Sequence, residues 1–335
     1  MFYRQLKLSG LVLLFAAAIS VLASCERPAP SNQDTETIVI NEALRTLLYL
    51  PIYHAIEDGH FEDEGISVDL VTGGTATNAF SAMLSGEADF AIADPMYVPI
   101  SREQGADTKV VGQIVARIAV WALSNDPDVS TFDLESIEGS VISTHPRPMT
   151  AYTYANARLR EIGLEDGNGV EILQNRPGTE TAPFFAGSSN FVVTLEPGTS
   201  IAQHQGAHVV YSWPEVLGDR IFTGIMTRQD LIDNRHDTVL ATLRAINTAV
   251  EDLRNHPEEA LATAKVYFSQ VDEAILQIAI SRLLEESVIP ESIFITEESW
   301  NSAVSVRLEA GDLHQEPNFA ENVPLNLIRQ AISSE

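Results

Sequence analysis

Two acid–proline steps are the places in this chain where residue type and spacing could do chemistry. Asp94, with a proline after it, follows the mainly apolar residues 88–93, and Glu196, also before a proline, follows the mainly apolar residues 191–194. A short apolar run that a proline ends is typical of a buried strand at the turn where a helix begins. A carboxylate there can accept hydrogen bonds from an amine or an aminopyrimidine. The alternative is a plain helix start, in which the carboxylate bonds to its own backbone.

The stretch around each acid–proline step is repeated. Gly86 and Phe90 meet identical residues 101 positions later, and so does the triplet Gln-Gly-Ala at 104–106. This repeat predicts two similar α/β halves. Because open α/β sheets bind ligands beyond the carboxyl ends of their strands, the two acids are predicted to face one cleft between the halves.

Two further turns have features that suit a ligand site. Gly73 and Gly74 follow a predicted strand at 68–71 and allow close backbone approach, although such a pair also occurs for turn geometry alone. Thr75 can cap the next helix while free N–H groups remain at its start. The segment 144–150 contains two prolines and is predicted to form a rigid loop.

Composition limits the class of protein. The chain has 335 residues, enough for two domains, with 47 acidic and 20 basic side chains. Its formal net charge of −27 repels nucleic acid, so none is expected as a partner. The acidity is typical of a well-solvated surface or, alternatively, of a protein in saline surroundings. We find no Cys or His spacing typical of a metal site, and therefore expect neither metal nor cofactor.

The amino terminus has the pattern of an export signal. Basic residues precede an apolar core at 11–19 that is too short to span a membrane, and a Leu-Ala-Ser-Cys sequence follows. That sequence resembles the bacterial lipoprotein processing box. Its Cys25 is the only cysteine of the chain and cannot form an internal disulfide. We expect residues 1–25 to be a signal peptide ending in a lipidated Cys25, and 26–37 to be a flexible tether.

Two extended segments divide the rest of the chain. Residues 118–123 and 221–227 are apolar and β-prone, and we interpret them as crossovers between the halves. The first lobe is then 38–122 together with 222–335, and the second is 123–221. The carboxyl-terminal part has helical apolar spacing and is predicted to pack its aliphatic stripes in the core.

Several segments in order resemble the substrate-binding proteins of ABC importers for nitrate, sulfonates, taurine and thiamine pyrimidine precursors, the NMT1/THI5-like and SsuA-like group. The matching segments are residues 51–61, 64–70, 73–74, 86–93 and 196–197. The resemblance implies a bilobal type II periplasmic-binding-protein fold, in which two crossover strands join two α/β lobes around a ligand. It also implies a protein without enzymatic activity that serves the permease and ATPase subunits of an importer. We expect a monomer on the periplasmic side of the cell envelope, anchored in the membrane through Cys25.

The resemblance further implies a set of ligand-binding residues. They are Tyr49, Pro51, Tyr53, Gly73, Gly74, Thr75 and Asp94 in the first lobe, and Thr144, Thr150 and Glu196 in the second. Many family members have a Pro-Gly-Ser-type turn where this chain has residues 144–148, which argues against backbone capture of an anion there. Many also have an aromatic residue where this chain has Leu195, so no aromatic ring is expected at this position to stack on a ligand.

The predicted ligand is an aminopyrimidine or another small nitrogenous compound. Carboxylates would accept its N–H groups, and an aromatic residue such as Tyr49, Tyr97 or Trp213 would stack on its ring. The alternative ligand is a sulfonate, taurine or nitrate, which an arginine such as Arg45 or Arg147 could grip.

Two alternatives come from other functional classes. Pyrimidine-precursor synthases share the implied fold, but they carry a Cys-rich motif, whereas the one cysteine here is Cys25. An extracytoplasmic sensor would use the same bilobal module with a separate signalling partner.

Overall fold

The computed structural model describes residues 35–147 and 149–333. Its strands are β1 Glu36–Glu42, β2 Ile66–Thr72, β3 Phe90–Ala93, β4 Thr108–Val115, β5 Trp121–Ser124, β6 Val141–Thr144, β7 Glu165–Asp166, β8 Gly169–Gln174, β9 Phe191–Thr194, β10 His208–Ser212 and β11 Thr223–Arg228. The predicted signal peptide, Cys25 and most of the tether lie outside the described residues.

Helices connect and cover these strands. They are α1 Leu50–Glu57, α2 His60–Asp63, α3 Ala76–Ser85, α4 Tyr97–Glu103, α5 Leu134–Ile137, α6 Thr150–Glu161, α7 Thr181–Phe185, α8 Gly198–His204, α9 Trp213–Leu217, α10 Gln229–Asn234, α11 His236–Asn255, α12 Pro257–Tyr267, α13 Glu273–Glu285, α14 Glu297–Ala310, α15 Phe319–Asn322 and α16 Leu325–Ile332, with a 3₁₀ turn at Leu47–Tyr49 before α1. Within the described residues, no helix has both the length and the apolar character needed to cross a bilayer.

The first sheet has the strand order β2-β1-β3-β11-β4. Strand β1 runs parallel to β2 and β3, whereas β11 is antiparallel to its neighbours β3 and β4. All four residues of β3 are buried, as expected for a central strand covered on both faces. Helix α11 packs with α1, α2 and α16 over this sheet.

The second sheet repeats the arrangement. Its order is β10-β5-β9-β6-β8-β7, in which β9 is parallel to β6 and antiparallel to β5. Strand β9 therefore occupies the same place as β3, and both are followed by an acid, a proline and a short helix. The two similar halves expected from the repeat are present as two sheets that share the order of five strands, and the second sheet adds β7 at its edge.

Within residues 35–333, apart from the undescribed residue 148, the chain passes between the sheets twice, at residues 116–120 and 213–222. The predicted crossovers, 118–123 and 221–227, run on into β5 and β11, but β5 belongs wholly to the second sheet and β11 wholly to the first. Glu286, just after α13, lies at both passages, where its Oε2 accepts hydrogen bonds from Trp121 Nε1 (2.9 Å) and Ser212 Oγ (2.7 Å).

Local sequence signals account for several helix ends. The Thr75 hydroxyl accepts a hydrogen bond from Asn78 N (3.1 Å) and so caps α3, as predicted. Pro257 occupies the first turn of α12, where its missing N–H costs nothing. Gly311 ends α14 in the left-handed region with φ 77°.

Candidate functional site

A cavity of about 310 Å³ lies between the two sheets. One wall comes from the segment after β1 and from Ala93 and Asp94 at the end of β3. The other wall comes from the segments after β6, β8 and β9, including Thr194 and Glu196. The carboxyl ends of the two central strands thus meet at this cavity, and both acid–proline steps line it.

Asp94 lines the cavity, but both of its oxygens already have partners. Its Oδ1 accepts the N–H of Met96 (2.9 Å), which is the helix-start arrangement considered from the sequence. Its Oδ2 is paired with the guanidinium of Arg307 in α14. A ligand contact by Asp94 therefore remains a prediction, and such a contact would compete with Arg307.

Glu196 also lines the cavity and is 2% exposed. Its Oε1 accepts hydrogen bonds from Ser200 Oγ (2.9 Å) and Arg282 Nε (2.8 Å), and its Oε2 accepts the Ser200 N–H (3.1 Å). Burial raises the pKa of this carboxyl, and the charge of Arg282 and the bonds from Ser200 only partly oppose that rise. Because Arg282 belongs to α13 and Glu196 follows β9, the ion pair ties the carboxyl-terminal helices to the second sheet.

The residues predicted for the first wall after β1 divide into two groups. Tyr49 lines the cavity, whereas Pro51 and Tyr53 are buried in α1 and do not. The Tyr53 hydroxyl donates to Glu42 Oε2 (2.6 Å), and its ring stacks on Tyr267 with centroids 4.2 Å apart. Tyr49 thus lies at the site, whereas Tyr53 is buried beneath it and packs against Tyr267.

Residues Gly73, Gly74 and Thr75 form the predicted turn after β2, but they do not line the cavity. Gly73 lies against Asn41, whose Oδ1 would be 2.7 Å from an added Cβ, so close packing explains the glycine. The next residue, Ala76, does reach the cavity wall. This turn therefore lies beside the site rather than in it.

In the second lobe, Thr150 lines the cavity, whereas Thr144 is fully buried and donates from Oγ1 to the carbonyl of Val193 (2.8 Å). Arg147, an alternative anion-binding residue, stacks over the Tyr152 ring at 4.7 Å and bonds to its hydroxyl. The loop thus contributes Thr150 to the cavity.

The structure adds an acid that sequence reasoning missed. Glu180 lines the cavity and is 2% exposed. Its Oε1 accepts a hydrogen bond from Thr194 Oγ1 (2.6 Å), and its Oε2 lies 3.4 Å from Nε2 of His145. Among the residues that the structure describes, neither Glu180 Oε2 nor His145 Nδ1 has a hydrogen-bond partner, although the 3.4 Å contact with Nε2 keeps His145 at ion-pair distance from Oε2. A usable signal existed, because Glu180 follows β8, whose carboxyl end faces the same cleft.

The charge of Glu180 is set by its neighbours. Burial by itself raises the pKa of the carboxyl, but the His145 imidazole and the Thr194 hydroxyl outweigh it and hold the pKa below its ordinary value. The site therefore presents an ionised, buried carboxylate with one unfilled acceptor position.

Positive charge at the cavity is scarce. Arg45 is the one Lys or Arg among the cavity-lining residues that the structure describes, and its Nε donates to Glu42 Oε1 (2.7 Å) while its guanidinium packs on Tyr267. Most of the remaining wall is apolar, with Leu48, Leu195, Phe222 and Phe268 among its members. Neither Tyr97 nor Trp213 lines it.

A family model described as NMT1/THI5 like matches residues 48–260. The chain belongs to the NMT1/THI5-like family. The matched range includes the whole second sheet, every strand of the first sheet except β1, and both acid–proline steps, so the family resemblance expected from the sequence is confirmed.

Two proteins similar in sequence to this NMT1/THI5-like chain are named as binding proteins. The putative binding protein YtlA of Bacillus subtilis (strain 168) is 23% identical over 305 residues, covering 89% of this chain and 91% of its own. The formylaminopyrimidine-binding protein of Halalkalibacterium halodurans is 24% identical over 342 residues, covering 93% of this chain and 96% of its own.

The fold has solved counterparts. The periplasmic aliphatic sulphonate binding protein SsuA from Escherichia coli superposes with a TM-score of 0.68 at 15% identity, covering 88% of this chain and 99% of that chain. This likeness confirms the periplasmic-binding-protein fold with two α/β lobes.

Proposed function

We propose that this protein is an extracytoplasmic solute-binding lipoprotein of an ABC importer. It captures a small nitrogenous molecule, such as an aminopyrimidine, between its two lobes. The proposed mechanism is lobe closure: a ligand that touches both cavity walls stabilises the closed arrangement, which a membrane permease then recognises. Two relatives support binding without catalysis. Both are named as binding proteins, and both align with nearly the whole of this chain.

The ligand class is supported above all by Glu180. A buried carboxylate oxygen without a hydrogen-bond partner is costly, and a ligand N–H group that reaches it removes that cost. An anionic ligand would instead place its charge against this carboxylate. The available cation, Arg45, is already engaged with Glu42, so the electrostatics of the walls favour a hydrogen-bond donor over a sulfonate.

Apolar and aromatic surfaces would hold the flat part of the molecule. Tyr49, Phe222 and Phe268 line the cavity and can pack on a ring. A volume of about 310 Å³ suits a single substituted ring. In this proposal Glu180 takes the anchoring role expected of Asp94, because Asp94 is occupied by Arg307.

Thermal-shift measurements on the purified protein test the proposal. The panel comprises formylaminopyrimidine and related aminopyrimidines, taurine, alkanesulfonates and nitrate. A ligand at one hundred times its Kd stabilises by about 2.7 kcal/mol, which corresponds to about 4 °C for a domain of about 300 residues. A shift only with sulfonates or nitrate would overturn the ligand class while leaving the binding role intact. No shift with any member of the panel would count against solute binding of this kind.

The Glu180→Gln substitution tests the anchor. It keeps the shape but removes the charge, and we expect aminopyrimidine binding to weaken about 10- to 100-fold, since hydrogen bonds to charged groups contribute about 1.5–3 kcal/mol. Glu171→Gln, an exposed acid of β8 in the same lobe, is the matched control. Equal ligand affinity in the two variants would refute the role of Glu180.

The membrane anchor forms a separate part of the proposal. Cys25 would carry the lipid and hold the protein at the periplasmic face of the cell envelope. Metabolic labelling with a radioactive fatty acid should label the native protein and leave Cys25→Ala unlabelled. Equal labelling of both proteins, or of neither, would contradict lipidation at Cys25.

A further inference from the structure

A cluster of metal-ligating side chains lies away from the cavity. His54 near the end of α1, Asp58 after it, His60 at the start of α2 and Asp252 in the last turns of α11 offer donor atoms that all lie within 4.8 Å of one another. None of the four lines the cavity between the sheets. The cluster therefore needs an explanation of its own.

Hydrogen bonding leaves the cluster incomplete. The Nε2 atom of His60 is buried and has no hydrogen-bond partner in the described part of the chain. It lies 3.9 Å from Asp58 Oδ2 and 3.9 Å from Asp252 Oδ2, which is too long for hydrogen bonds. In a tetrahedral zinc site with bonds of about 2.0 Å, neighbouring donor atoms are about 3.3 Å apart. The two 3.9 Å separations exceed that value by about 0.6 Å, and the four donor atoms, all within 4.8 Å of one another, would draw closer around a bound cation.

His54 is held as a metal ligand would be. Its ring is fully buried, its Nδ1 lies 3.0 Å from Thr263 Oγ1 in α12, and its Nε2 lies 2.9 Å from Asp252 Oδ2. In the tautomer whose Nδ1–H donates to Thr263, the lone pair of Nε2 points at the cluster. A hydrogen bond from the far ring nitrogen is the usual support of a histidine that binds a metal.

We propose that His54, Asp58, His60 and Asp252 form a structural site for a divalent transition cation of the zinc type. Two imidazoles and two carboxylates provide nitrogen and oxygen donors that suit Zn²⁺, whereas Mg²⁺ and Ca²⁺ prefer oxygen alone. The cation would neutralise the two carboxylates and satisfy His60. It would also join α1 and α2, which follow the first cavity wall, to the long helix α11. This site stands on the cluster alone and is independent of the ligand proposed for the cavity.

Calorimetric titration and melting of the chelator-treated protein test the site. We expect one Zn²⁺ per chain and a rise of about 4 °C in Tm when free Zn²⁺ is one hundred times Kd, with no comparable rise in MgCl₂. Co²⁺ should give the intense visible absorption of a tetrahedral site. The absence of a one-to-one event, or an equal response to Mg²⁺, would overturn the proposal.

Variants locate the metal. His60→Gln should abolish the Zn²⁺-dependent rise, and Asp58→Asn, at a half-exposed side chain that the fold tolerates, should weaken binding at least tenfold. Thr263→Val should weaken it about 10- to 100-fold through the orientation of His54. His314→Gln, at an exposed histidine paired with Glu103, is the control and should retain the full rise. Unchanged Zn²⁺ affinity in both His60→Gln and Asp58→Asn would exclude this cluster as the site.

Discussion

The buried ion pair between Arg282 and Glu196 yields the sharpest prediction. Replacing Arg282 by Met removes the positive charge 2.8 Å from a carboxylate that is 2% exposed, while the two bonds from Ser200 remain. Loss of one partner of a buried pair costs about 3–5 kcal/mol. Because Ser200 still satisfies part of the charge, we expect the lower end, about 3 kcal/mol, or about 5 °C in Tm for a domain of about 300 residues.

The pH dependence of the loss identifies its cause. Burial already raises the pKa of Glu196 above its ordinary value of 4.5, and removal of Arg282 raises that pKa further. A carboxyl with a higher pKa in the folded than in the unfolded state loses stability as pH rises through the interval between the two values. The difference in unfolding free energy between Arg282→Met and the native protein should therefore be largest near pH 8 and shrink toward pH 5.

A double-mutant cycle completes the test. Glu196→Gln in the Arg282→Met background removes the unpaired charge and should recover most of the lost stability, measured by denaturant unfolding. Arg160→Met, at an exposed arginine 4.0 Å from Glu165, is the control and should change stability by less than about 0.5 kcal/mol. A pH-independent loss, or no recovery in the double variant, would show that Arg282 acts through packing and not through the charge of Glu196.

Three further predictions concern the walls and the surface. Gly198→Ala places a Cβ 2.6 Å from Thr194 Oγ1 and 2.9 Å from Glu180 Oε1. It should therefore lower the stability measured in a melting experiment by about 1–3 kcal/mol and reduce the stabilisation that ligand gives. If ligand stabilises this variant as much as the native protein, the contacts of Thr194 and Glu180 near Gly198 do not position the Glu180 carboxylate for the ligand. Tyr53→Phe removes a 2.6 Å hydrogen bond to the fully buried Glu42 and should cost about 1.5–3 kcal/mol in urea unfolding, whereas a loss below about 0.5 kcal/mol would indicate that the carboxylate finds another donor. Because the net charge is −27, Tm should rise from low to molar NaCl as self-repulsion is screened, and a flat response would contradict salt adaptation.

Local signals predicted much of the fold. The apolar runs before the acid–proline steps became the central strands β3 and β9, and Thr75 caps α3 as its type and position indicated. Helix α14 begins after a Thr296 cap and ends at Gly311, which are local signals of the same kind. These features depend on interactions within a few residues, which is why composition and spacing reveal them.

The candidate site was predictable only in part. Strand ends imply which turns face the cleft, and so Asp94 and Glu196 were expected there. The family resemblance added Thr150, and all three residues line the cavity. The pairing of Asp94 with Arg307, 213 residues away in the chain, could not be read from the turn that contains Asp94. The hydrogen bonding of Glu180 could not be predicted from its turn either, because it depends on the position that His145 takes in the folded protein.

By itself the sequence determined two repeated α/β halves, their buried central strands and the acids placed at the strand ends, because backbone periodicity and turn chemistry act locally. Tertiary structure alone decided which carboxylates are already paired and which has a free acceptor position. It also brought Asp252 of α11 beside the histidines of α1 and α2, close to 200 residues earlier in the chain. Such contacts arise when distant helices and strands pack, and the charge state of each group depends on the partners that packing supplies.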